Sequence, residues 1–160
     1  MIKKEILKKI NEQIKLEYES AFIYKRMSIM LGDMGWPGLS HWMHEQYREE
    51  ILHAEEMIDY IMSRRETPEL GDIRMPELSL KTVLDFFEKS FEHECLVSKK
   101  INEIVTATIE QQDYATENFF RKYVNEQVEE EDTVSDLVDQ IKRAKDDGGL
   151  VIIDGRLGQR

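Results

Sequence analysis

The sequence predicts an all-α protein, a four-helix bundle with a long crossover between its second and third helices. Three observations carry this. Apolar residues recur at helical spacing through four long segments of nearly equal length. Breakers are few, three prolines and eight glycines in 160 residues, and most fall in two places. Each segment also carries acid at the middle of its apolar stripe. The length suits one domain with a sizeable core, and 1–160 is read as a single domain.

The first helix is expected from about Lys3 to Leu31. Its stripe runs Ile6, Ile10, Gln13, Glu17, Ser20, Tyr24, Met27, Leu31. Gly32 to Gly38 breaks it, and Pro37 suits the first turn of the next helix. The second, about Pro37 to Arg64, repeats the design with Leu39, Met43, Gln46, Glu50, His53, Met57 and Tyr60. Arg65 to Leu78 contains Pro68, Gly71 and Pro76 and has no period. It is too long for a hairpin turn. A return along the bundle would need such a length, since ~28 helical residues span ~42 Å and extended chain covers ~3.3 Å per residue.

The third helix is expected from about Ser79, as N-cap, to Gln111, with Leu80, Leu84, Phe87, Phe91, Glu94, Ser98, Ile101, Val105 and Thr108 on one face. Asp113 caps a fourth that continues to about Ala144. Its stripe is Phe120, Val124, Gln127, Glu131, Val134, Val138 and Ile141, with Phe119, Tyr123, Glu126, Glu130 and Leu137 alongside. Asp147-Gly148-Gly149 is expected to end that helix. Leu150 to Arg160 holds a short apolar run that periodicity does not divide between strand and helix.

Composition excludes several classes. A net charge of −11 argues against nucleic acid as partner and favours attraction of cations. The single cysteine, Cys95, excludes an intramolecular disulfide and fits a reducing compartment, so the protein is read as cytoplasmic. No apolar run approaches the ~20 residues of a membrane span.

The central acids fall at one height. Glu17 lies 18 residues before Gly35 and His53 lies 18 after it, with Glu50 one turn away; Glu94 and Glu130 lie 18 residues either side of Gln112. Glu50 and His53, three apart, share a helix face. Solvated acidic faces explain any one of these residues. They do not explain the set, because ionised carboxylates in a core cost several kcal/mol each unless a cation offsets them. A donor set of oxygens with one imidazole and no thiolate disfavours structural zinc and calcium loops and suits iron or manganese. A carboxylate shared between the halves would hold two metals, with Glu17 and His53 on one side, Glu94 and Glu130 on the other, and Glu50 bridging.

Glu17 with Tyr24, Glu49-Glu50-x-x-His53, Glu94, and Glu126-Gln127-x-Glu129-Glu130 together resemble the bacterial non-heme ferritins over essentially the whole chain. The ferritin-like fold is a standard case of metal sites inside bundles. The resemblance implies that the tail forms a short C-terminal fifth helix. It implies one iron held by Glu17, Glu50 and His53 and another by Glu50, Glu94 and Glu130, with Gln127 beside the second. Glu49, Glu126 and Glu129, with Glu130, are similar to a third iron site, and Tyr24 to a tyrosine that supplies an electron. The implied activity is ferroxidase: a 24-subunit homo-oligomer oxidises Fe(II) with dioxygen or peroxide and stores ferric mineral.

The chain departs from some relatives at Lys122, where they carry Trp, which removes an electron donor there. A heme-binding bacterioferritin would carry Met in place of Ile51 and His in place of Glu130, so no heme is expected. A non-storing di-iron or di-manganese oxidase or peroxidase of the same superfamily is the alternative function, and a structural bundle with solvated acids is a third.

Overall fold

The computed structural model describes residues 1–160. Five helices follow one another: α1 Lys4–Asp33, α2 Pro37–Ser63, α3 Val83–Glu110, α4 Tyr114–Arg143 and α5 Asp147–Leu157. The first four form two hairpins, α1 on α2 and α3 on α4, which meet through α1 and α3; α5 packs on α2 and α4. No helix is long and apolar enough to cross a membrane.

Both hairpin turns close where the sequence centred them. Gly35 has φ +86° and Gln112 has φ +56°. In each, the backbone N–H one residue later donates to a carbonyl five residues back, Trp36 to Leu31 and Asp113 to Thr108. This left-handed cap satisfies carbonyls that a helix end leaves open. Arg65, at φ +59°, ends α2 in the same way, with Glu66 N–H donating to the Ile61 carbonyl.

Two boundaries differ from expectation. The third helix starts at Val83, not near Ser79, because Thr82 makes a reciprocal cap with Asp85: Asp85 N–H donates to Thr82 Oγ1 at 3.2 Å, and Thr82 N–H donates to Asp85 Oδ2 at 2.8 Å. Ser79 has no acid three residues on and stays in the extended approach. Asp147-Gly148-Gly149 does not end α4 but opens α5. Asp146 caps it by accepting from Gly149 N–H at 3.0 Å, and a Cβ at Gly149 would lie 3.0 Å from Ala144 Cβ. Asp113 caps α4 as expected, accepting from Thr116 N–H at 3.2 Å.

Between α2 and α3 the chain returns along α1. Glu69 N–H donates to Asn11 at 3.1 Å, Arg74 N–H to Glu19 at 3.3 Å, and the Pro76 carbonyl accepts from Arg26 at 2.8 Å. The partners advance up α1 as the segment advances, so it climbs the bundle from the end of α2 to the Gly35 end, and the second hairpin starts at the opposite end from the first.

The core is split. One apolar cluster, with Met27, Leu31, Leu39, Trp42, Phe86 and Phe87, fills the end near Gly35. Another, with Ile6, Ile10, Ile61, Ile101, Phe120 and Tyr123, fills the opposite end. Between them lies a layer of buried polar groups: Gln13, Glu17, Ser20, Gln46, Glu50, His93, Glu94 and Gln127.

Candidate metal centre

The α1–α2 hairpin delivers Glu17, Glu50 and His53 to one spot. Each offers a ligand atom within 4.8 Å of the others. His53 Nδ1 lies 3.8 Å from Glu17 Oε2 and 3.6 Å from Glu50 Oε2. Glu17 is wholly buried and Glu50 is 4% exposed. Both carry a buried oxygen, Oε2, with no hydrogen-bond partner. Buried acceptors are almost always paired, so two orphaned carboxylate oxygens facing one imidazole mark a place for a cation. The other Glu17 oxygen is fixed by Gln13, whose Nε2 donates to Oε1 at 2.6 Å.

Metal-free, these groups share protons unequally. Burial pushes both carboxyls up. At Glu17 the nearby His53 and Glu50 groups outweigh burial and hold it below its ordinary value. At Glu50 burial and the charge of Glu17 together drive it well above. Like charges this close do not both ionise, so the proton rests on Glu50. Burial opposes a charge on His53, but Glu126, Glu17 and Glu50 raise it far above the usual imidazole range. A cation arriving here displaces those protons.

The α3–α4 hairpin supplies Glu94 and Glu130, in another state. Glu94 is wholly buried. Its Oε1 accepts a very short hydrogen bond from the Tyr24 hydroxyl, and Oε2 accepts from Gln127 Nε2 at 3.1 Å. Burial raises its carboxyl to about 7, against the pull of Tyr24 and Gln127. Glu130 Oε2 accepts from Gln46 Nε2 at 3.1 Å, and burial raises this carboxyl too. Neither acid joins the tight group of Glu17, Glu50 and His53. A groove of about 200 Å³ between α3 and α4, lined by Ser98, Val128 and Glu131 among others, brings solvent to Gln127.

The remaining acids are dispersed. Glu126 Oε2 lies 3.4 Å from His53 Nε2. Glu49 is half-buried and paired with Arg160 at 2.7 Å. Glu129 is exposed.

Several neighbours escaped the sequence reading. His93, buried on α3, has Nε2 2.5 Å from Ser20 Oγ, and its ring stands edge-on to Tyr24, centroids 6.3 Å apart. Burial lowers this imidazole to about 4, so it stays neutral. Tyr123 packs edge-on to His53 at 5.3 Å and donates to Glu56 Oε2 at 2.8 Å, an oxygen shared with Lys122 at 2.5 Å. Only Ser20, on the first stripe, and Tyr123, beside the fourth, carried a signal of burial.

The sequence profile of the ferritin-like domain family matches residues 7–144. The chain is 41% identical to the bacterial non-heme ferritin of Bacteroides fragilis over the full length of both. It is 37% identical to that of Campylobacter jejuni, covering 96% of this chain and 93% of the relative. Among solved structures, the open-pore ferritin of the archaeon Archaeoglobus fulgidus superposes with a TM-score of 0.97 at 34% identity, covering 100% of this chain and 99% of that one.

Proposed function

This chain belongs to the ferritin family, and from that premise we propose that it is a single-domain iron-storage protein of the cytoplasm with ferroxidase activity. It assembles into a 24-subunit homo-oligomer, takes Fe(II) and dioxygen or peroxide as substrates, and holds Fe(III) as mineral inside. The observation that carries the chemistry is the pair of buried, unpartnered oxygens on Glu17 and Glu50 facing His53. Uncompensated buried charge is costly, and a divalent ion bound by oxygen and nitrogen offsets it.

In this reading Glu17, Glu50 and His53 hold one Fe(II), while Glu94 and Glu130 hold a second with Glu50 between them. Gln127 stands at the second ion, on the side the α3–α4 groove reaches. Each Fe(II) gives one electron, and the two electrons with two protons reduce dioxygen to the level of peroxide. Glu50 and His53, which carry protons before metal arrives, release them as the ligands deprotonate. Tyr24 is the reserve electron donor, its hydroxyl already hydrogen-bonded to Glu94 as proton acceptor. Glu49, Glu126 and Glu129, with Glu130, form the third site, through which Fe(III) leaves for the interior. The acidity of the chain supports supply of cations to the centre.

The test is iron retained per subunit after aerobic Fe(II) loading and gel filtration, in wild type and Glu50→Ala. Iron far above the number of binding sites, eluting with a large particle, is expected for wild type, and slow oxidation for the variant. Two or three irons per subunit on a small particle would leave a non-storing di-iron enzyme. Wild-type oxidation rates in Glu50→Ala would remove the centre as assigned.

A further inference from the structure

α5 is seated on the start of α2 so tightly that Gly38 admits no side chain; a Cβ there would lie 1.8 Å from the Asp154 carbonyl oxygen. Asp154 Oδ1 also accepts from Leu39 N–H at 2.8 Å. This clamp sends the residues after α5 back across α2 and sets Arg160 on its Glu49 face. There the Arg160 carbonyl accepts from His41 Nε2 at 2.8 Å. Its guanidinium lies 5.1 Å from the ring centroid of Trp42, a core residue, and Nη1 reaches the Trp42 carbonyl at 3.4 Å. Nη2 donates to Glu49 Oε2 at 2.7 Å.

Most surface ion pairs contribute little because both side chains are mobile. This one is held by an aromatic face, one carbonyl contact and a charge-assisted hydrogen bond, which arginine's planar fork makes together, while the Arg160 backbone carbonyl is tied to His41. Glu49 is therefore not a free ligand, and the acidic group beside Glu130 already contains a cation.

We propose that the Arg160 guanidinium is the standing counter-cation of Glu49 and competes with a third metal ion for that carboxylate. Two cations on one carboxylate oxygen repel each other, so a metal reaches Glu49 Oε2 only as Arg160 swings away, and one held by the other oxygen is weakened by the guanidinium beside it. Trp42 and His41 retain the arginine nearby for return. Arg160 thus sets how long a third ion stays, favouring passage over retention. The inference rests on the third site of the proposed function.

Calorimetric titration of the assembled protein with Co(II), a redox-silent stand-in, tests it in wild type, Arg160→Gln and Arg160→Lys. Two Co(II) per subunit, bound ahead of a weaker third, are expected in wild type. Arg160→Gln should tighten the third step by about tenfold, with the first two steps and the oxidation rate of the first two Fe(II) unchanged. Arg160→Lys, which keeps the charge, should shift the third step less. An unchanged third step in Arg160→Gln, or no third step in either protein, overturns the inference while intact first steps leave the di-iron reading standing. Loss of the first two steps in wild type would instead bring down the metal centre itself.

Discussion

The two hairpins offer the same kind of ligand in opposite conditions. On the α1–α2 side, Glu17 and Glu50 each leave a buried oxygen bare, and the charge facing them is that of the protonated His53 ring, whose proton a metal would replace. On the α3–α4 side, protein donors already occupy Glu94 and Glu130, Tyr24 and Gln127 on the first and Gln46 on the second. The bare oxygen there, Glu126 Oε2, lies beside the same His53 ring. A bare buried oxygen gains most from a cation, because nothing else offsets its desolvation. A hydrogen-bonded one is already partly compensated and gains less. The two halves are thus inequivalent in their donors, and on the proposed di-iron reading α1–α2 would be the tighter position and α3–α4 the exchanging one. Such a division suits a protein that must take up iron and also pass it on.

Removing a ligand from each side in turn gives the largest expected contrast. In Co(II) titrations, Glu17→Ala should weaken the first binding step by more than the roughly 10–100-fold typical of outer-shell losses. Glu94→Ala should spare that step and weaken the second. Equal losses at both steps in Glu94→Ala would erase the distinction between the halves.

Proton linkage should show the same inequality through stability. The raised values of Glu50, Glu94 and His53 mean that the metal-free native state binds more protons than the unfolded chain. Their stabilisation is full below the unfolded values and fades as pH rises through the folded ones. Buried His93 acts oppositely, but only below the ordinary imidazole value of 6.5. From pH 6.5 to about 8.5, then, Tm of the metal-free protein should fall, and saturating Zn(II) should flatten that slope by replacing the protons. A flat or rising Tm without metal would contradict the protonated state assigned to Glu50 and His53.

The smallest effect is expected from the donors of the exchanging side. Gln127→Ala removes the amide that orients Glu94, and should weaken only the second Co(II) step, by about tenfold. A matching change in the first step would mean that Glu94 serves both positions equally.

Much of this was legible in the sequence because helical periodicity is local. The four stripes put Glu17, Glu50, Glu94 and Gln127 inside, and counting from Gly35 and Gln112 set Glu17, His53, Glu94 and Glu130 at one height; both turn centres prove to be left-handed caps. Where local chemistry offered two solutions, the stripes misplaced the boundary. The sequence points to Ser79 as the cap, and the structure places the cap at Thr82, where the reciprocal bond with Asp85 forms. The glycines after Asp146 read as a stop and serve as a start, where Asp146 caps α5 through Gly149 N–H and Gly149 packs closely on Ala144.

The sequence by itself determined the inward face of each helix and the height of the central acids, because period and turn position follow from backbone geometry alone, although buried His93 lay off the stripe. Only the tertiary structure decided which oxygens stay bare and which are engaged. Tyr24 reaches Glu94 across 70 positions, Gln46 reaches Glu130 across 84, and Arg160 reaches Glu49 across 111. A carboxylate's charge state depends on the donors packed around it in space, and those come from helices that no local pattern pairs.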